Sequence, residues 1–277
     1  MNKVTRDDVR HLVLPLPDSH KGQNGKLLIV GGSHLFHAAS LWALTVASRI
    51  VDLVHYSSVP ENNKLIEEAK KEFRNGIVIP RDTLDDYIAE DDCILIGPGM
   101  TRDKETAALT NTLLANNRQK QWVIDAGALQ MLDLIRIPPG SILTPHHQEF
   151  QLLWEKQEMR DKGQETRDED KIRAFAKTYH CIVLLKGETD IACDGRNGEC
   201  REIAGGNAGM TKGGTGDVLA GLIAALACKN NPFLATIAGS FINKQAGDVL
   251  YKTVGPFFNA TDLASQIPLT MKELLIG

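Results

Sequence analysis

The sequence predicts an α/β protein built on one mostly parallel sheet with helices on both faces. Two observations carry this. Short runs of β-branched and apolar residues alternate with longer stretches of helical composition, the pattern of strands joined by helical crossovers. Nearly every predicted strand also ends in small or polar residues, as it would where a parallel sheet delivers its loops to a single edge.

In order, KLLIVGG (26–32) reads as a buried strand ending in a glycine turn, and HAASLWALTVASRI (37–50) as a helix of small and apolar residues. DLVHYSS (52–58) is a strand, followed by a charged helix, ENNKLIEEAKKEF (61–73). GIVIP, DCILIGPG and QWVIDAGAL add three strands, the last two separated by helix DKETAALTNTLLANN (103–117). After ILTPHHQEF come a polar helical stretch at about 156–178 and the strand CIVLLKG (181–187). The segment DIACDGRNGECREI, broken by turn-forming DGRNG, reads as a hairpin or edge pair. Two helical segments, VLAGLIAALAC and FLATIAGSFINKQAGDVLYKTV, close the chain. No Pro- or Ser-rich linker divides the 277 residues, so one domain over 1–277 is expected.

A net charge of −4 with no basic tract argues against a nucleic-acid partner. No apolar run reaches the ~18 residues of a membrane span, and the charged start MNKVTRDDVRHLV lacks a signal-peptide core. A cytoplasmic protein is expected. The five scattered cysteines form no CxxC pair and read as reduced, mostly buried thiols.

Chemistry concentrates in NAGMTKGGTGDVLAG (207–221), where six of the twelve residues from Gly205 to Gly216 are glycine. Its KGGTGD fits neither a Walker A loop nor a dinucleotide fingerprint. The physics is related nonetheless. Glycines let backbone N–H groups approach an anion, and the helix start adds unsatisfied amides and a positive dipole end. Asp217 would repel phosphate, which leaves two readings: an N-cap carboxylate, or a base that takes the proton of an attacking hydroxyl beside the anion hole. His146, His147 and Glu149 do not read as a zinc site, because adjacent histidines on a strand face opposite ways. The polar run at about 155–172 reads as a solvated helical face.

The GTGD signature heading a late helix resembles the ribokinase-like superfamily. HKGQNGKLLIVGGS (20–33), IGPG (96–99), DAGAL (125–129), LTPHHQEF (143–150), LLKGETDIA (184–192) and NAGMTKGGTGDVLAG occur in the order found in the ADP- or ATP-dependent NAD(P)H-hydrate dehydratase family. That resemblance implies repair of NADH or NADPH hydrate: phosphorylation of the ring hydroxyl, then loss of phosphate. It implies Asp217 as base, with the N–H groups of Gly214, Thr215 and Gly216 stabilising the transferring phosphoryl. Lys186, Gly187, Glu188, Thr189 and Asp190, with Gly216, match the segment that holds the nucleotide's AMP part. Ala39, Gly99, His146 and Asp217 match contacts to the hydrate.

Mg²⁺ bridging the donor phosphates, a homotetramer and a separate NAD(P)H-hydrate epimerase are further expectations of the resemblance. Motif-bearing sequence begins by residue 20, so no epimerase domain is expected within this chain. The chain departs from the family at Ala38, where glycine is usual, at Phe36, where tyrosine is common, and in TPHHQE, where TPHPGE is usual. Lys212 stands where small residues are common and has no assigned role. The alternatives are a vitamin-precursor alcohol kinase of the same superfamily and a nucleotide-binding regulator without catalysis.

Overall fold

The structure, a computed structural model, describes residues 1–158 and 167–277. The chain opens with β1 (Asn2–Lys3) and the one-turn α1 (Arg6–Val9), then β2 (Lys26–Val30), α2 (Ala38–Ala47), β3 (Leu53–Ser57) and α3 (Pro60–Ala69). Next come β4 (Ile77–Val78), α4 (Leu84–Glu90), β5 (Cys93–Ile96), α5 (Lys104–Asn116), β6 (Gln121–Ile124) and α6 (Ala126–Met131). They are followed by β7 (Ile142–Leu143), α7 (His147–Glu158), α8 (Asp168–Tyr179), β8 (Ile182–Leu185), β9 (Asp190–Asp194) and β10 (Cys200–Ile203). Three helices close the chain, α9 (Thr215–Ala227), α10 (Pro232–Val254) and α11 (Ala260–Leu275).

The strands form one sheet in the order β1-β10-β9-β8-β7-β6-β5-β2-β3-β4, parallel except for β9, which runs antiparallel to both its neighbours. Alternation along β2 divides the apolar residues between two cores. Leu27 and Ile29 pack on the side of α2, α9, α10 and α11, while Leu28 and Val30 join the core around α5 to α8. Both faces are covered, which is why the central strands read as continuous apolar runs rather than alternating ones.

Several boundaries differ from the sequence reading. The polar helix expected at about 156–178 is two helices. The first begins at His147, inside the motif read as a strand end. Residues 159–166 of the expected solvated face lie outside the described residues. A third closing helix, α11, follows the two expected. Its Pro268 obscures the helical pattern, while Asn259 caps its start by accepting from Thr261 and Asp262 amides. The expectation of five free thiols is also corrected. Cys193 and Cys200 stand directly opposite each other in the β9–β10 register and are joined in a disulfide, whereas Cys93, Cys181 and Cys228 are free and buried. Among the described residues no helix is long and apolar enough to cross a membrane.

Candidate active site

The strand order reverses at β2, which lies between β5 and β3, and that switch point opens a crevice at the carboxyl ends of the strands. Two glycine loops meet there. Gly32 N–H donates to Pro98 O at 2.7 Å, and Gly31 N–H to Ser57 O at 3.1 Å. Gly97 has φ +123°, and a β-carbon on it would lie 1.8 Å from Asp125 O, so only glycine lets the loop pass the end of β6. Beyond these loops lies a cavity of about 850 Å³. Ala39 and Gly99 line it, together with Phe36, Trp42, Gln130 and Asp217. Ala38 is also in its wall, and the extra methyl leaves the cavity open.

Gly214 is the N-cap of α9, with φ +96°. Asp217 is therefore not a cap. It sits in the first turn, where its carboxyl interacts with its own backbone N–H. The N–H groups of Gly214 and Gly216 have no acceptor among the described residues. The Thr215 N–H faces Lys212 O at a long 3.4 Å, and its hydroxyl ties the loop to Met210 O at 2.7 Å. Lys212 turns away from the glycines to the carbonyls of Pro256 and Phe258, which explains why no chemical role could be read for it.

Around Asp217 stand Asp125, Lys186 and Glu149. Burial, then the neighbouring charge of Asp125, pushes the Asp217 carboxyl up to about 7, with Lys186 opposing and Glu149 reinforcing the rise. Lys186 Nζ donates to Asp125 Oδ1 at 2.9 Å, and that oxygen also accepts from Thr144 Oγ1 at 2.7 Å. Burial alone would lower the Lys186 ammonium, but Asp125, Glu149 and Asp217 hold it above its ordinary value, so it stays charged. Glu149 accepts from Gln130 Nε2 at 2.8 Å and from the His146 N–H at 2.9 Å.

A second cavity, of about 460 Å³, lies on the other side of the α9 N-terminus. Lys186, Gly187, Glu188, Asp190 and Gly216 line it. Thr189 is not among its lining residues, and His146 lines neither cavity. His146 immediately precedes α7, its Nδ1 accepting from Glu149 N–H at 3.2 Å. Asp190 is only 4 % exposed and is engaged by protein groups: the Gly187 N–H, the Ser240 hydroxyl and the Lys244 ammonium.

Sequence reasoning missed Trp42, Asn243 and Lys244, which stand on helices that read as core. Asn243 lines the smaller cavity with its Oδ1 buried and without a partner. Lys244 donates to the carbonyls of Gly187, Glu188 and Gly205 at 2.9–3.1 Å, stapling two loops of that cavity to α10. A lysine beside Asn243 in the largely buried helix segment SFINKQAG was the available signal. No group of three or more His, Cys, Asp or Glu side chains among the described residues is placed to hold a metal ion.

A sequence model of the family described as NAD(P)H-hydrate dehydratase matches residues 27–269. The chain is 37% identical over 265 residues to the bifunctional NAD(P)H-hydrate repair enzyme Nnr of Methanocaldococcus jannaschii, covering 92% of this chain and 50% of that protein. It thus spans about half the length of several curated relatives it matches. It is 34% identical to the ADP-dependent (S)-NAD(P)H-hydrate dehydratase of Nitrosopumilus maritimus, covering 92% of this chain and 91% of that one. A ribokinase-like protein of Enterococcus faecalis shares the fold, with TM-score 0.86 at 23% identity over 100% of this chain and 97% of its own. The ADP/ATP-dependent NAD(P)H-hydrate dehydratase of Bacillus subtilis, co-crystallised with ATP/Mg²⁺, also shares it, with TM-score 0.83 at 23% identity over 99% and 98%.

Proposed function

The chain belongs to the NAD(P)H-hydrate dehydratase family, and on that premise we propose that it uses ADP, or ATP, to return the S form of NADH or NADPH hydrate to NAD(P)H. The observation that carries the reading is the shared wall. Gly216 faces the smaller cavity and Gly214 with Asp217 the larger, so one helix turn separates a donor site from an acceptor site. A phosphoryl group crossing that wall passes the free amides of Gly214 and Gly216 and the α9 dipole end.

In this reading the hydrate enters the larger cavity beside Trp42, with its ring hydroxyl at Asp217. Asp217 takes the hydroxyl proton while the oxygen attacks the terminal phosphorus of the donor, and the bond to the donor's bridging oxygen breaks. AMP is left when ADP is the donor. Phosphate then leaves the ring carbon while the adjacent carbon gives up a proton, and the ring double bond returns. The step is needed because hydroxide is a poor leaving group and phosphate a good one. A base near 7 suits this, being deprotonated at neutral pH yet still basic.

In the same proposal Lys186, Gly187, Glu188, Thr189 and Asp190 hold the nucleotide, and Ala39, Gly99 and His146 contact the hydrate. Mg²⁺ would arrive on the donor phosphates rather than in a protein cage. A cytoplasmic tetramer working beside a separate epimerase completes the reading. The test is recovery of dihydronicotinamide absorbance from purified NADH hydrate with Mg²⁺ and either ADP or ATP. Recovery with one donor establishes the reaction and names that donor; none with either, despite nucleotide binding, overturns it in favour of an alcohol kinase or a regulator.

A further inference from the structure

Two lysines line the smaller cavity, and they are placed in opposite ways. Lys244 has carbonyl acceptors for all three of its protons, the oxygens of Gly187, Glu188 and Gly205. Lys186 Nζ has one acceptor, Asp125 Oδ1 at 2.9 Å, and its other two protons have none among the described residues. A charged ammonium with donors left open, on a side chain only 19% exposed, is arranged for an acceptor that arrives from outside. Its location says which. A β-carbon built on Gly216 would lie 3.6 Å from Nζ, so the charge sits beneath the helix turn that separates the two cavities.

Resting on the dehydratase reading, we propose that Lys186 contacts the transferring phosphoryl group rather than the AMP part of the donor, and that Asp125 is the positioning residue that aims it. The surrounding architecture supports this. Asp125 is 2% exposed and is itself fixed by Thr144, while the Lys186 backbone is held by the bond from its N–H to Pro145 O at 2.8 Å. The carboxylates of Asp125, Glu149 and Asp217 bear on the same ammonium. An incoming phosphate would meet those negative charges, and Lys186 offsets them where the phosphorus–oxygen bonds form and break.

AMP and ADP separate the two roles, because AMP lacks the phosphoryl that moves. Calorimetric titration of the whole protein with each nucleotide is expected to show Lys186→Met leaving AMP affinity within about threefold of the parent while ADP affinity falls about 10–100-fold. The kcat for hydrate dehydration should fall about 100-fold. Asp125→Asn should lower kcat more than it changes KM, and should move the acid limb of the kcat profile down, since a negative neighbour of Asp217 is lost. Equal losses of AMP and ADP affinity, or an undiminished kcat in Lys186→Met, would overturn the assignment of Lys186. An unmoved acid limb in Asp125→Asn would overturn that of Asp125. Should the parent bind both nucleotides yet leave the hydrate unchanged, the dehydratase reading fails, and the AMP–ADP comparison still decides for or against the lysine.

Discussion

The six-membered ring of Trp42 fills the space that a side chain at Gly214 would need: a β-carbon built there lies 2.3 Å from Cζ3 and 2.4 Å from Cε3. Trp42 cannot easily give way, because its Nε1 donates to Thr261 Oγ1 at 3.1 Å and so pins α2 to α11. Gly214→Ala should therefore distort the α9 start, through both the clash and the left-handed φ, and cost about 1–3 kcal/mol. Adding Trp42→Ala should recover part of the Tm without recovering turnover, since the φ of Gly214 still disfavours alanine and the acceptor cavity loses its indole. Thermal unfolding of the two single variants and the double variant checks this, and additive losses would show that the contact carries no coupling.

Asp217→Asn should lower kcat by roughly 10²–10⁴-fold while nucleotide binding is retained, because the amides proposed to hold the phosphate are backbone and the N-cap of α9 is Gly214, not Asp217. Its effect on stability should have the opposite sign. The folded pKa near 7 lies above the ordinary 3.8, so the carboxylate works against folding increasingly as pH rises between those values. Asparagine removes that penalty. The variant's Tm should exceed the parent's at about pH 8, by roughly 2–4 °C for each kcal/mol recovered, and converge with it in acid. A variant less stable than its parent at both pH values would contradict the buried-charge account.

The same shift fixes the pH dependence of turnover. As the proposed base, Asp217 must be deprotonated to accept the hydroxyl proton, so kcat/KM should rise with pH and level off above an apparent pKa near 7. An ordinary, solvated aspartate would already be fully ionised at pH 5. Stopped-time assays of hydrate dehydration across that range separate the two, and a flat profile from about pH 5 upward would show that Asp217 is not the limiting base.

The core of the sheet was legible because β2, β5, β6 and β8 are largely apolar runs that end in turn residues, and burial on both faces leaves them no other reading. Position 217 stands out in the sequence for a different reason: a carboxylate among glycines contradicts simple anion binding. What escaped was chemistry on regular helices. Trp42 and Lys244 sit in stretches whose composition reads as core, and their roles exist only once α2 and α10 pack against the loops of other strands. The Cys193–Cys200 pair escaped because a spacing of seven residues acquires meaning only from the hairpin register. His146 matched a motif, and the structure sets it at the N-terminal end of α7, hydrogen-bonded to Glu149.

Lys244 offers the sharpest contrast between holding a site and acting in it. It is 6% exposed, and its ammonium reaches the Asp190 carboxylate at 3.2 Å as well as three carbonyls from the loops at 187–188 and 205. Methionine at this position would fill most of the volume but leave those carbonyls without their donor and Asp190 without its counter-charge. Breaking a buried pair from one side costs about 3–5 kcal/mol. Lys244→Met should therefore unfold at a lower denaturant concentration and bind AMP and ADP more weakly to the same degree, because the whole donor cavity loosens. At saturating donor its kcat should remain near that of the parent, since nothing at Asp217, Gly214 or Gly216 depends on this ammonium. Chemical denaturation, nucleotide titration and turnover at high ADP read the three consequences separately. A kcat that falls while nucleotide affinity holds would place Lys244 in the chemistry and undo its assignment as a staple.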